Sequence, residues 1–160
     1  MRVFLDANVV LDVLAQREPF FSDSVQVLSL VESGAVEGFI AAHTVTTLFY
    51  LLNREVGAER ARLSLLDLLR IVEVVSVDQD RILQAFAMKW LDFEDALQAA
   101  CAMKKEADYL LTRDQRGFSE ASVTVLSPAE FLAMHGSRSG LRKPANSQAL
   151  PQSHSHPLAP

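Results

Sequence analysis

The sequence predicts an α/β fold, a three-layer α/β/α sandwich around a mostly parallel sheet of four to five strands. Short apolar runs alternate with longer segments of helical periodicity, the pattern of strands joined by crossover helices. The first run, Val3-Phe4-Leu5, has no polar partner positions, so both of its faces must be covered. It stops at an acid, Asp6, and acids at the carboxyl ends of parallel strands face the crevice where such sheets bind ligands.

The elements follow in order. After Asp6-Ala7-Asn8, the close spacing of Val9, Val10, Leu11, Val13 and Leu14 reads as a buried helix, broken at Arg17-Glu18-Pro19 because proline disfavours helix in the residue before it. Phe20 to Ser33 is helical through Val25, Leu28 and Val31 and closes at Gly34. Glu37 to Ala42 is a second strand, Thr44 to Glu55 a helix closed by Gly57, and Ala58 to Arg70 an amphipathic helix with leucines at 63, 66 and 69. Ile71 to Val77 is β-branched and short, hence a strand. Asp78 caps a helix to Lys89. Asp92-Phe93-Glu94-Asp95 opens the next, whose acids suit a helix N-terminus and whose Lys104 and Lys105 suit its other pole. Asp108 to Thr112 is a strand with Arg113-Asp114 at its end. Val123 to Leu126 is a strand, and Pro128 to His135 a final helix.

These elements make one domain, residues 1–135, large enough for a substantial core. Residues 136–160 hold four of the six prolines and little to bury, so they are expected to be a disordered polar tail, and His154 and His156 within it are not taken as a metal site. An apolar fraction of 49% with no run of roughly 18 apolar residues argues for a soluble rather than a membrane protein. The acid in MRVFLDAN is unlike a signal peptide, so a cytoplasmic location is expected. Cys101 is alone, which excludes a disulfide framework or a cysteine-based metal site. The net charge of −5 argues against a broad basic nucleic-acid footprint, though an acidic metal centre would itself account for several of those charges.

Three acids stand at comparable places. Asp6 ends the first strand, Asp114 ends the fourth, and Asp95 lies one turn into the helix before that strand, so a doubly wound sheet can gather them at one crevice. Other chemistries lack their residues. There is no GxGxxG or GK[ST] loop, no G-x-S-x-G elbow and no histidine placed to serve a nucleophile. A carboxylate cluster of this kind suits a hard cation, Mg²⁺ or Mn²⁺, of the sort that activates water and clamps phosphate oxygens. Each acid also has a plainer role open to it: Asp6 as a helix cap, Asp95 as a helix-dipole residue, Asp114 as a turn acid, and Asp92 as an N-cap in preference to a ligand. Asn8 orients Asp6 or the turn. Thr112 hydrogen-bonds either a carboxylate or a phosphate. His43, Trp90 and Phe93 are read as structural.

VFLDANVVLDVL, IAAHTVTTLFYLL and FEDALQAACAMKKEADYLLTRD, in that order and spacing, resemble the PIN domain family, including its VapC-type ribonuclease toxins. The resemblance covers roughly Met1 to Met134. It implies a PIN-like sandwich with Asp6, Asp95 and Asp114 as the catalytic, metal-holding acids and Asn8, Thr47 and Thr112 in support; Arg113 and Arg116, next to that pocket, are the candidates for holding an RNA phosphate. It further implies Mg²⁺- or Mn²⁺-dependent endoribonuclease activity, an RNA substrate, a homodimer and, for a toxin, an antitoxin partner. The chain departs from the family pattern in two places. Thr47 stands where a glutamate is usual, with Asp92 the expected substitute carboxylate, and Gly117 stands where many members carry a further acid. The alternative reading is therefore a PIN-type RNA- or protein-binding module with weak or no cleavage. A receiver or haloacid-dehalogenase-like phosphatase also places an acid after its first strand, but the lysine and second aspartate those sites need are missing.

Overall fold

The computed structural model describes residues 1–140. Five strands form the middle layer: β1 (Arg2–Leu5), β2 (Glu37–Ala41), β3 (Glu73–Val75), β4 (Tyr109–Leu111) and β5 (Thr124–Leu126). They lie in the order β3-β2-β1-β4-β5, and all four neighbouring pairs are parallel. Seven helices among the described residues connect and cover them: α1 (Ala7–Leu14), α2 (Phe21–Glu32), α3 (Ala42–Val56), α4 (Ala58–Leu68), α5 (Gln79–Met88), α6 (Phe93–Lys104) and α7 (Pro128–Gly140). The chain builds outward from β1 through β2 to β3, then returns to the other side of β1 for β4 and β5. The strand order thus reverses at the β1–β4 pair, the place where such sheets open a crevice at their carboxyl ends.

Side-chain alternation along the central strands divides the core. Val3 and Leu5 of β1 join Ile40 and Leu111 in a cluster completed by α1, α2, α3, α4 and α7. Phe4, with Phe39, Ala41 and Leu110, faces the opposite side and meets Ala99, Cys101 and Ala102 of α6. Val3, Phe4 and Leu5 are completely buried, each worth roughly 1.5–3 kcal/mol of apolar transfer. The small residues Ala96, Ala99, Ala100 and Ala102, also buried, let α6 lie close against the sheet.

Three details differ from expectation. The stretch 71–77 is strand only over Glu73–Val75, because the end of α4 keeps winding: Ile71 and Val72 both donate their amides to the Leu68 carbonyl. On α4 the buried stripe is Ala61, Leu65 and Leu68, whereas Leu63, Leu66 and Leu69 are exposed. Leu66 and Leu69 flank a shallow apolar cavity with Phe49 of α3, so the helix carries two apolar stripes rather than one. Finally, α7 runs on to Gly140, five residues past the end expected at His135. The expected disorder beyond it, and His154 and His156, lie outside the described residues.

Candidate active site

Leu5 of β1 is in register with Leu111 of β4, so the residues that follow, Asp6 and Thr112, emerge side by side at the strand reversal. Asp6 donates its amide to the Leu111 carbonyl at 3.0 Å, and its own carbonyl accepts the first amides of α1. The carboxylate does not cap the helix. It is 6% exposed and held from three sides. Oδ2 accepts hydrogen bonds from Asn8 Nδ2 (2.5 Å) and Thr112 Oγ1 (2.7 Å), and Oδ1 accepts one from Gln98 Nε2 (3.0 Å). Thr112 therefore binds a carboxylate, and its hydroxyl also accepts the Asp114 amide at 2.9 Å, tying the loop after β4 to Asp6. Asn8 completes the tie by accepting the Arg113 amide at 3.2 Å.

Asp95 enters from α6. Asp92 is the N-cap of that helix, its Oδ1 accepting the amides of Glu94 (2.8 Å) and Asp95 (3.2 Å). This places Asp95 in the first turn, next to the loop after β4. A Cβ on Gly117 would come within 2.2 Å of Asp95 Oδ2, so a glycine there is what gives the carboxyl its present resting place. Burial is the chief reason the Asp95 carboxyl is pushed up to about 7, with the negative charges of Asp92, Asp6, Asp114 and Glu94 adding to it. Asp6 and Asp114 are thus near enough for their charges to act on Asp95, so the three sequence-predicted acids share the crevice. Asp114 lies at its exposed edge, accepting the Arg116 amide at 3.2 Å.

The predicted basic residues are placed differently. Arg113 turns away from the acids to Asp12 of α1, with Nε 3.0 Å from Asp12 Oδ2, and its guanidinium stacks 4.3 Å from the Phe20 ring centroid. Asp12 is fully buried, and burial raises its carboxyl above the usual range despite the opposing charges of Arg113 and Arg17. Arg113 is thus committed to a half-exposed ion pair with a buried acid, which leaves Arg116, among the described residues, as the cation of the β4 loop without an acidic partner. Arg116 lines a cavity of about 190 Å³ with Trp90, Asp92 and Gly117, beside the acids.

Two features of the crevice were not assigned from the sequence. Gln98 is a fully buried amide on α6, and its only sequence signal was a lone polar residue inside ALQAACA, one turn beyond Asp95. His43, read as structural, opens α3 at the end of β2 and faces Glu94, with Nε2 3.9 Å from Glu94 Oε1. Burial lowers its basicity, while the charges of Glu94 and Asp6 act the other way.

The donors fit a hard cation chemically. Several carboxylates share one crevice, and among the described residues none of Asp6, Asp95 and Asp114 forms an ion pair. A divalent cation relieves that kind of repulsion. As the side chains stand, no three His, Cys, Asp or Glu among the described residues close around one point. Asp95, resting against Gly117, is the carboxyl that would turn inward.

A parallel sheet with its strand reversal at β1 and an acid-lined crevice at that point defines a class of α/β protein. Within it, the chain belongs to the PIN domain family, which it matches over residues 2–116. It is 24% identical over 135 residues to ribonuclease VapC1 of Aquifex aeolicus, covering 81% of this chain and 92% of that one. Among solved structures it resembles VapC20 of Mycobacterium tuberculosis, described as a toxin that cleaves the sarcin-ricin loop (TM-score 0.62, 21% identity, 76% of this chain and 96% of that one). A toxin–antitoxin complex from Klebsiella pneumoniae is similarly close (TM-score 0.61, 20% identity, 79% and 97%).

Proposed function

We propose that the protein is a Mg²⁺- or Mn²⁺-dependent endoribonuclease and the toxin of a toxin–antitoxin pair. The observation that carries this reading is the convergence of Asp6, Asp95 and Asp114, without a cationic partner, at the strand reversal of a PIN domain. The likeness to ribonuclease VapC1 supports the reaction class, and the toxin–antitoxin complex supports an antitoxin partner. A homodimer belongs to the same reading. No helix among the described residues is long and apolar enough to cross a membrane.

Asp6, Asp95 and Asp114 would hold the cation, which when bound lowers the pKa of a coordinated water and neutralises charge on the phosphodiester. The remaining work belongs to the chain itself. Asn8, Thr112 and Gln98 fix the Asp6 carboxylate in one orientation, since both of its oxygens are already engaged by donors. Asp95, near neutrality at about 7, is poised to give up its proton when positive charge enters. Arg116, exposed beside the acids, is the cation this reading assigns to an RNA phosphate.

The test is cleavage of single-stranded and structured RNA by wild type and Asp6→Asn, with Mn²⁺ or with EDTA. Cleavage by wild type with Mn²⁺ alone, lost in Asp6→Asn, is the expected result. RNA binding without cleavage by either protein would overturn it in favour of a PIN-type binding module, the reading that Thr47 favours by withholding a carboxylate from α3.

A further inference from the structure

We propose that Glu94, and not Asp92, is the fourth cation-facing carboxylate of the crevice, reaching from α6 to the place that Thr47 leaves uncharged on α3. The inference rests on the metal-dependent reading above and concerns which side chain completes its site. Asp92 is engaged elsewhere, because its Oδ1 accepts two amides at the start of α6. Turning it toward a cation would uncap the helix. Glu94, two residues on, has no such duty. Its Oε1 stands 3.5 Å from Thr47 Oγ1 and 3.9 Å from His43 Nε2, so its carboxylate lies across the crevice mouth against the first two turns of α3.

A second observation at the same place points to a bound partner. Gln98 lies one helical turn from Glu94 on α6, where residues four apart share a face. It is 2% exposed, and its Nε2 donates to Asp6 Oδ1 while its Oε1 has no hydrogen-bond partner. A buried acceptor without a donor is rare and calls for one. A donor brought into the crevice beside Asp6, to which the same amide is bound, would supply it. Thr47 fits the same arrangement. A carboxylate at position 47 would enter the volume Glu94 already occupies, so a neutral, short side chain there accommodates an acid arriving from the opposite helix.

The experiment is Mn²⁺ binding to metal-free protein, read by calorimetry and by the electron paramagnetic resonance of free Mn²⁺, with thermal melting of each variant. Glu94→Gln should weaken Mn²⁺ binding about tenfold or more, the range seen when a supporting metal-site group is removed. Asp92→Asn should leave Mn²⁺ affinity nearly unchanged. The double variant Thr47→Glu with Glu94→Ala, which puts a carboxylate into the space that the truncation vacates, should recover most of the loss. Mn²⁺ binding by Glu94→Gln equal to wild type, alongside loss in Asp6→Asn, would overturn the assignment of Glu94 and leave the metal reading intact. Absence of Mn²⁺ binding by wild type itself would overturn both. A lowered melting temperature in Glu94→Gln with Mn²⁺ affinity retained would show a merely structural contact with His43, and would also overturn it.

Discussion

Asp95→Asn should make the metal-free protein more stable at neutral and alkaline pH while removing the proposed cleavage. Burial and four neighbouring acids raise the Asp95 carboxyl from 3.8 to about 7 in the folded chain. The folded state therefore keeps its proton at pH values where the unfolded chain has lost it. The sign follows from linkage: between about pH 4 and pH 7 the folded state binds more protons, so stability falls as pH rises through that window and stays low above it. At about 1.4 kcal/mol per pH unit, the full span corresponds to about 4 kcal/mol. Asp95 is only partly buried, and solvent screening reduces the effect to about 2 kcal/mol. The α6 N-terminus favours a negative charge by less than about 1 kcal/mol, too little to reverse the outcome. Asparagine removes the charge at nearly constant volume.

The measurement is thermal melting of wild type and Asp95→Asn in EDTA from pH 4 to pH 8. The two proteins should melt alike near pH 4. By pH 8 the variant should melt about 3–6 °C higher, the shift that a gain of between about 1 and 2 kcal/mol produces in a chain of this size. Saturating Mn²⁺ should then close the gap, because it stabilises the wild-type crevice and has less to bind in the variant. Equal melting at pH 8, or a difference that does not change with pH, would refute the electrostatic account of the crevice.

Three other substitutions test separate parts of the structure. Asp92→Ala removes the α6 cap and should cost about 1 kcal/mol in urea unfolding; unchanged stability would show that the two amide contacts contribute nothing. Gly117→Ala forces the Asp95 carboxyl from its resting place, so the titration of Asp95 followed by NMR should move from about 7 by at least about one pH unit, while an unmoved titration would contradict the close approach. Arg113→Ala strands the buried Asp12 carboxylate and should destabilise by about 3–5 kcal/mol, with Asp12→Asn in the same protein restoring much of it. Because burial already holds the Asp12 carboxyl above its usual range, the loss in Arg113→Ala should shrink as pH falls and Asp12 takes up a proton.

What could be read from the chain alone depended on whether a residue's role is set locally. The run Val3-Phe4-Leu5 ending at Asp6 announces a buried strand and its terminus within a few residues, and TRD after Leu110-Leu111 does the same for β4, so the sheet and the two loops of the crevice followed from pattern. Asp92 as a cap is also a local property, since its partners lie two and three residues away. The leucines of α4 illustrate the opposite case: periodicity finds an apolar stripe at 63, 66 and 69 and another at 61, 65 and 68, and only the placement of the sheet decides which is buried. Arg113 and Asp12 are about a hundred positions apart, and their pairing depends on α1 lying next to the end of β4. Glu94 is the sharpest instance. It and Asp95 are adjacent on a helix whose successive side chains diverge by roughly 100°, so spacing cannot say which of the two faces α3. The answer comes from Thr47 and His43, about fifty residues earlier, standing within 4 Å of the Glu94 carboxylate. A missing charge on one helix was legible as a substitution at position 47, but the carboxylate that stands against that position is a tertiary fact, visible only once the two helices face each other across the crevice.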